Sequence, residues 1–189
     1  MRSFVQYGRF FMVVAAAVLL NPFSAAAQSI TEARTWTLTP FVSGAFGTSE
    51  NLGSSLGVGV GVTYDLTTHL GIEGEFGHVF DVLGDNENID QSLNTVSGNA
   101  VYNFSVPRVT PYATFGLGFE RSSIDVKNPD PAALYPPSST EVLYNFGGGL
   151  KYPVSDEFLL RADLRRFQAN DLAPDHWRLY GGLTWWIKR

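Results

Sequence analysis

The ten residues Leu56-Gly57-Val58-Gly59-Val60-Gly61-Val62-Thr63-Tyr64-Asp65 alternate without a break between two kinds of side chain. One face reads Leu, Val, Val, Val, Tyr and the other Gly, Gly, Gly, Thr, Asp. Alternation over this length is the pattern of a half-buried β-strand. A soluble protein gives the outer face of such a strand to lysine, glutamate and threonine. Here the second face is small rather than charged until its last residue, which suits a crowded interior and leaves the valines to point outward. That inversion fits a strand whose surroundings are hydrocarbon, as in a membrane β-barrel.

Upstream of this strand, residues 1–27 read as a secretory signal peptide. Arg2 and Arg9 supply a positive start, Phe10 to Leu20 is unbroken apolar sequence, and Asn21-Pro22 interrupts any helix. Ser24-Ala25-Ala26-Ala27 then offers small residues for cleavage before Gln28. The apolar run is shorter than the roughly 20 residues a spanning helix needs, and the cleavage site argues against the alternative of an uncleaved anchor. Residues 28–189 remain as one barrel domain of 162 residues (189 − 27).

Loss of Arg2 and Arg9 leaves 11 of the 13 basic residues against 18 acidic ones, a net charge of −7. Such a surface speaks against nucleic acid as a partner. Cysteine is absent, which excludes a disulfide framework and thiolate chemistry and suits an exported chain. Lysine stands only at Lys127, Lys151 and Lys188, few for a soluble all-β domain. No apolar run beyond the signal segment is long enough for a transmembrane helix. A membrane-embedded chain of this kind must close into a barrel, because lipid leaves open strand edges unsatisfied.

Eight strands are predicted, at 35–47, 55–65, 70–80, 94–106, 111–121, 140–152, 157–168 and 177–187. They are joined alternately by short turns (66–69, 107–110, 153–156) and longer polar loops (48–54, 81–93, 122–139, 169–176). Short periplasmic turns opposite long external loops belong to an all-β, eight-stranded, antiparallel up-and-down transmembrane β-barrel. The third loop carries Asn128-Pro129-Asp130-Pro131 and Tyr135-Pro136-Pro137, and its prolines block continuation of the ladder.

Parity assigns the faces. Outward sets include Val96, Ala100, Tyr102, Phe104 and Val106; Ala113, Phe115, Leu117 and Phe119; and Trp177, Leu179, Leu183, Trp185 and Ile187. Inward sets are small or polar: Thr95, Ser97, Asn99, Asn103 and Ser105; Tyr112, Thr114, Gly116, Gly118 and Glu120. Aromatic residues gather near strand ends as two girdles. Trp36, Tyr64, Tyr102, Phe104, Tyr152, Phe158 and Trp185 make the periplasmic one, and Phe46, Phe80, Phe119, Tyr144 and Trp177 the outer one. A soluble barrel such as a lipocalin would turn these faces round, leaving glycine, serine and asparagine outside in place of charge.

Thr39-Pro40-Phe41-Val42-Ser43-Gly44, Gly71-Ile72-Glu73-Gly74-Glu75-Phe76-Gly77, Pro111-Tyr112-Ala113-Thr114-Phe115-Gly116-Leu117-Gly118 and Leu160-Arg161-Ala162-Asp163-Leu164-Arg165 carry a resemblance to the small outer-membrane barrels of the OmpA/OmpX type. The likeness covers essentially the whole mature chain. It implies a place in the outer membrane of a Gram-negative bacterium after export through a cleaved signal peptide. It also implies insertion by the barrel-assembly machinery and contact with outer-membrane lipid and lipopolysaccharide. Family members typically end on an aromatic residue read by that machinery, whereas this chain runs Trp185-Trp186-Ile187-Lys188-Arg189. No second, peptidoglycan-binding domain is carried over.

The parity that sends valines outward sends charge inward. Glu73, Glu75, Glu120 and Asp163 share the interior with Lys151, Arg161, Arg165 and Arg178, four acids balanced by four bases. Enclosed charge needs partners, and eight strands leave an interior just wide enough for side chains, so a structural network is expected rather than a gated polar path. On the outward face Arg166, at the outer end of strand seven, is expected to snorkel and meet lipopolysaccharide phosphate.

Catalysis has little support. His78-Val79-Phe80 lacks the serine of the His-x-Ser pair used by lipid A deacylase barrels. Asp171, Asp175 and His176 imitate the rim of barrel proteases but sit in a polar loop of a shorter chain. Asp85-Asn86-Glu87-Asn88-Ile89-Asp90 misses the spacing of a calcium loop. The expectation is a non-enzymatic barrel, without cofactor or metal, that supports membrane integrity and offers surface loops to an unnamed ligand. The alternatives are an OmpW-like channel for small molecules and a lipid A-modifying enzyme.

Overall fold

The computed structural model describes residues 31–47, 55–80, 89–106, 108–126, 138–169 and 175–188. Eight strands follow in chain order: β1 (Thr35–Gly47), β2 (Ser55–Asp65), β3 (Leu70–Val79), β4 (Ile89–Asn103), β5 (Thr110–Val126), β6 (Ser139–Pro153), β7 (Phe158–Ala169) and β8 (His176–Lys188). Each pairs antiparallel with its neighbours, and β1 pairs with β8 to close the barrel. The segment expected as a signal peptide lies outside the described residues.

The stagger of the closed sheet follows from its register. From Thr37 the pairing runs through Thr63, Glu73, Asn99, Gly116, Asn145, Phe167 and His176 and returns to β1 at Gly47, ten residues further along. Strand number and shear together set the tilt and width of a barrel, and at eight strands the interior is filled by side chains.

The opening stretch lies in β2 with the parity expected of it. Gly57, Gly61, Thr63 and Asp65 are buried, while Leu56 and Val58 are exposed at 75% and 44%. The inward glycines are required by the side chains that the neighbouring strand lays over them. A Cβ at Gly59 would stand 2.3 Å from the Phe41 ring and 2.4 Å from the Phe76 carbonyl oxygen. At Gly116 it would meet the Asn99 side-chain oxygen at 1.8 Å. Small residues on one strand thus make room for large ones on the next.

The outer surface carries the two girdles. Trp36 packs at a tilt against Tyr64, with ring centroids 4.8 Å apart, and Tyr102 meets Phe104 edge-on at 5.1 Å on the periplasmic side. On the other side Phe46 pairs with Trp177, and Phe80, Phe119 and Tyr144 are exposed. Trp36 and Phe46 are ten residues apart on β1, and Trp177 and Trp185 eight apart on β8. At about 3.3 Å per residue and a tilt near 40°, the interval is roughly 20–25 Å, the height of the apolar band of an outer-membrane barrel.

Two strands differ from expectation by more than a residue at an end. β4 and β5 reach further out, continuing their ladder from Leu93↔Ser122 to Ile89↔Val126. Asp90, Gln91, Ser92 and Ser123 have no apolar alternation to announce a strand; backbone pairing carries the extension, joined by a hydrogen bond from Gln91 Nε2 to Ser122 Oγ at 2.8 Å. At its lower end β4 stops at Asn103 rather than residue 106. The Phe104 N–H donates to the Pro111 carbonyl at 2.8 Å, but Pro111 has no N–H to return. Ser105, expected inside, is therefore exposed in the turn, with its hydroxyl 3.0 Å from His69 Nε2.

Candidate functional site

All eight charged side chains assigned to the interior are buried. Five of them form one cluster across the lumen. β3 contributes Glu73 and Glu75, and β7 contributes Arg161, Asp163 and Arg165, each two residues from the next and so on one face. Arg161 pairs with Glu73 through Nη1 and with Asp163 Oδ2 through Nε at 3.1 Å. Arg165 reaches all three acids, with Glu73 at 3.0 Å, Glu75 at 2.9 Å and Asp163 at 3.2 Å.

Neutral groups complete the cluster. Thr63 Oγ1 donates to Glu73 at 3.1 Å, and Asn99 Nδ2 donates to it at 3.3 Å. Asn145 donates in turn to Asn99 at 2.9 Å. The Tyr112 hydroxyl donates to Asp163 and accepts from Arg161 Nε at 2.7 Å, while Tyr180 donates to Glu75 at 3.0 Å. Arg161 lies over the Tyr112 ring and Arg165 over the Tyr180 ring, at 4.8 and 5.0 Å. A cavity of about 10 Å³ remains among Phe41, Glu73, Arg161, Arg165 and Tyr180, room for about one water.

A second, smaller group lies towards the outer end. Arg178 donates through Nη2 to Glu120 at 2.7 Å and to Thr95 at 2.6 Å, and through Nε to His176 Nε2 at 2.9 Å. Because that ring nitrogen accepts, the His176 proton belongs on Nδ1. The guanidinium stands 4.3 Å from the Phe167 ring, on which His176 also stacks. Apolar side chains occupy the same end: Ala45, Val79 and Leu93 form one buried cluster, and Phe41, Leu143, Phe167 and Tyr180 another.

Lys151 touches the first group only through the Tyr112 ring. It donates to Asn103 at 2.9 Å and lies 5.3 Å from the centre of the Tyr112 ring. Among the described residues no carboxylate comes within ion-pair distance of it. The expected balance of four acids and four bases also changes, because Asp65 is buried at 2% exposure and makes five acids. Its inward parity follows from the alternation of residues 56–65. His176 is equally buried; the sequence pattern puts it in the last loop, whereas β8 begins one residue earlier and includes it.

On the outer wall Arg166 has the outward parity expected of it, and its charge is already met inside the protein. Nη2 lies 2.9 Å from Asp175, and the guanidinium sits 5.6 Å from the Trp177 ring. His78 Nδ1 is 2.8 Å from Asn94 Oδ1 and the ring packs edge-on against Phe80. Asp171 and most of the acidic run 85–90 lie outside the described residues. Among the described residues no group of three histidine or acidic side chains is arranged to hold a metal ion.

The comparisons with known proteins agree with this geometry. A family model for the outer membrane protein β-barrel domain matches residues 13–182. No curated protein matches in sequence. Among solved structures, Neisserial surface protein A is 17% identical with a TM-score of 0.62, over 82% of this chain and 97% of that one. The N-terminal β-barrel domain of Pseudomonas aeruginosa OprF is 20% identical with a TM-score of 0.56, over 80% and 97%. Ail, the attachment invasion locus protein of Yersinia pestis, is 17% identical with a TM-score of 0.53, again over 80% and 97%. Almost the whole of each neighbour is covered, so the likeness is of complete barrels, and at these identities it is a likeness of fold.

Proposed function

This chain belongs to the outer membrane β-barrel family, and from that premise we propose that it is a closed-lumen, non-enzymatic barrel that supports the Gram-negative outer membrane and presents its outer connections to partners. One observation carries the reading: Glu73, Glu75, Arg161, Asp163 and Arg165 cross-link β3 to β7 through the middle of the lumen, beside a cavity of about 10 Å³. A buried charge with several partners is costly to displace, so the network favours a brace over a path. The OmpW-like alternative needs an apolar route, and the same buried charges oppose it. No nucleophile–base pair of a lipid A-modifying enzyme is assigned.

The outer connections 48–54, 81–88, 127–137 and 170–174 contain Glu50, Asp81, Asp85, Glu87, Asp130 and Asp171 against Lys127 alone. Complementarity favours a basic partner surface over a polyanion. Ail has been solved in complex with the heparin analogue sucrose octasulfate; the acidic connections here argue against carrying that ligand over. Export through cleavage after Ala27 and insertion by the barrel-assembly machinery complete the proposal.

Planar-bilayer recording is the test, together with the mobility of unboiled and boiled protein on SDS gels. The wild type is expected to migrate differently when unboiled and to give little or no steady conductance. Arg161→Ala is expected to raise conductance by removing the Glu73 and Asp163 contacts. A large steady conductance in the wild type would overturn the closed-lumen reading, and recovery as a soluble periplasmic protein would overturn the assignment to the membrane.

A further inference from the structure

One row of paired residues interrupts the apolar exterior near the outer girdle. His78 on β3 pairs with Asn94 on β4, Asn94 with Arg121 on β5, and Arg121 with Thr140 on β6. All four have outward parity; Arg121 and Thr140 are exposed, and His78 and Asn94 half-buried. The hydrogen bond between His78 Nδ1 and Asn94 Oδ1 uses the asparagine's acceptor and leaves its amino group as a donor on the row. Among the described residues, Arg121 has no carboxylate within ion-pair distance, in contrast to Arg166 and its Asp175.

Beneath the row, on the same four strands, Phe76, Val96, Phe119 and Val142 are exposed. A guanidinium with no carboxylate partner among the described residues, flanked by neutral donors and standing above an apolar wall, is complementary to an amphiphile with an anionic oxygen-rich head and acyl tails. Neighbouring strands are about 4.8 Å apart, so Asn94 and Thr140 lie on either side of Arg121 within reach of one head group. A guanidinium matches phosphate through two parallel hydrogen bonds.

We propose that this row is a binding site for a phosphate of outer-leaflet lipid A, with Arg121 as the ion-pairing group and Asn94 and Thr140 as neutral donors. The proposal rests on the outer-membrane placement and is independent of whether the lumen conducts. It moves the lipid-phosphate contact from β7, where sequence alone put it on Arg166, to β5.

The folded barrel in zwitterionic detergent micelles is titrated with lipid A carrying its phosphates, with the dephosphorylated lipid and with phosphatidylglycerol, and bound lipid is followed by native mass spectrometry. Unboiled mobility establishes that each variant is folded. Lipid A is expected to bind most tightly, with dephosphorylation and Arg121→Ala each weakening binding roughly fivefold, the worth of one cation at a membrane surface. Arg121→Lys should fall between, and Arg166→Ala should match the wild type. The proposal is overturned by Arg121→Ala binding as the wild type does, by equal binding of the dephosphorylated lipid or of phosphatidylglycerol, or by an equal loss in Arg166→Ala.

Discussion

Arg165 and Arg166 are consecutive residues on opposite sides of one wall. Arg165 is 1% exposed and touches Glu73, Glu75 and Asp163; Arg166 lies against Trp177 and answers to Asp175, whose side chain is 38% exposed. The same side chain is therefore a keystone in one position and an ornament of the rim in the next. What differs is the solvent available if a partner is lost. At the rim water or a lipid head group can replace Asp175, while inside the barrel Glu73 and Asp163 would keep Arg161 as their cation and Glu75 would keep only the Tyr180 hydroxyl, beside a cavity the size of one water.

The largest expected effect breaks this comparison directly. Arg165→Ala should lower stability by about 3–5 kcal/mol, because it strands buried carboxylates, read as the midpoint of thermal unfolding in detergent. A midpoint near the wild type would mean that the lumen is wet enough to solvate the orphans. Next comes Gly59→Ala, whose added carbon must displace the Phe41 ring and press on the Phe76 carbonyl. Overpacking of this kind costs about 1–3 kcal/mol, and urea titration of the reconstituted barrel measures it.

Smaller effects sharpen the contrast from the outside. Arg166→Ala removes a partly exposed ion pair and should cost less than about 1 kcal/mol, so its midpoint should stay close to the wild type where that of Arg165→Ala does not. Smallest of all is Gly74→Ala on the outer face of β3, where a new Cβ meets nothing within 4 Å. Reduced freedom of the unfolded chain should make it neutral or stabilising by up to about 1 kcal/mol. A clear loss of stability there would show that the outer wall of β3 is packed against something.

Much of the fold was legible because a strand's period is local. Val58 and Gly59 reveal opposite faces from their neighbours alone, and the same rule placed Glu73, Glu75, Arg161, Asp163 and Arg165 inside. The ends of β4 and β5 were not legible in this way. Asp90 to Ser92 are polar on both faces, and their strand exists because the backbone opposite continues the ladder. His176 escaped for a related reason: one extra residue at the start of β8 turned a loop histidine into a partner of Arg178.

Composition and alternation by themselves determined that the chain is an outward-apolar barrel of eight strands and which charges it encloses, since both follow from a period of two read one strand at a time. Which charge meets which was decided only by closure. Glu73 and Arg161 are 88 residues apart, and their meeting depends on a stagger of ten residues accumulated around eight strands. The same closure left Lys151 with Asn103 rather than an acid, and Arg166 with Asp175 while Arg121 faced outward without a carboxylate among the described residues. Parity is a property of each strand, whereas partnership belongs to the register between strands, and no single segment of sequence contains it.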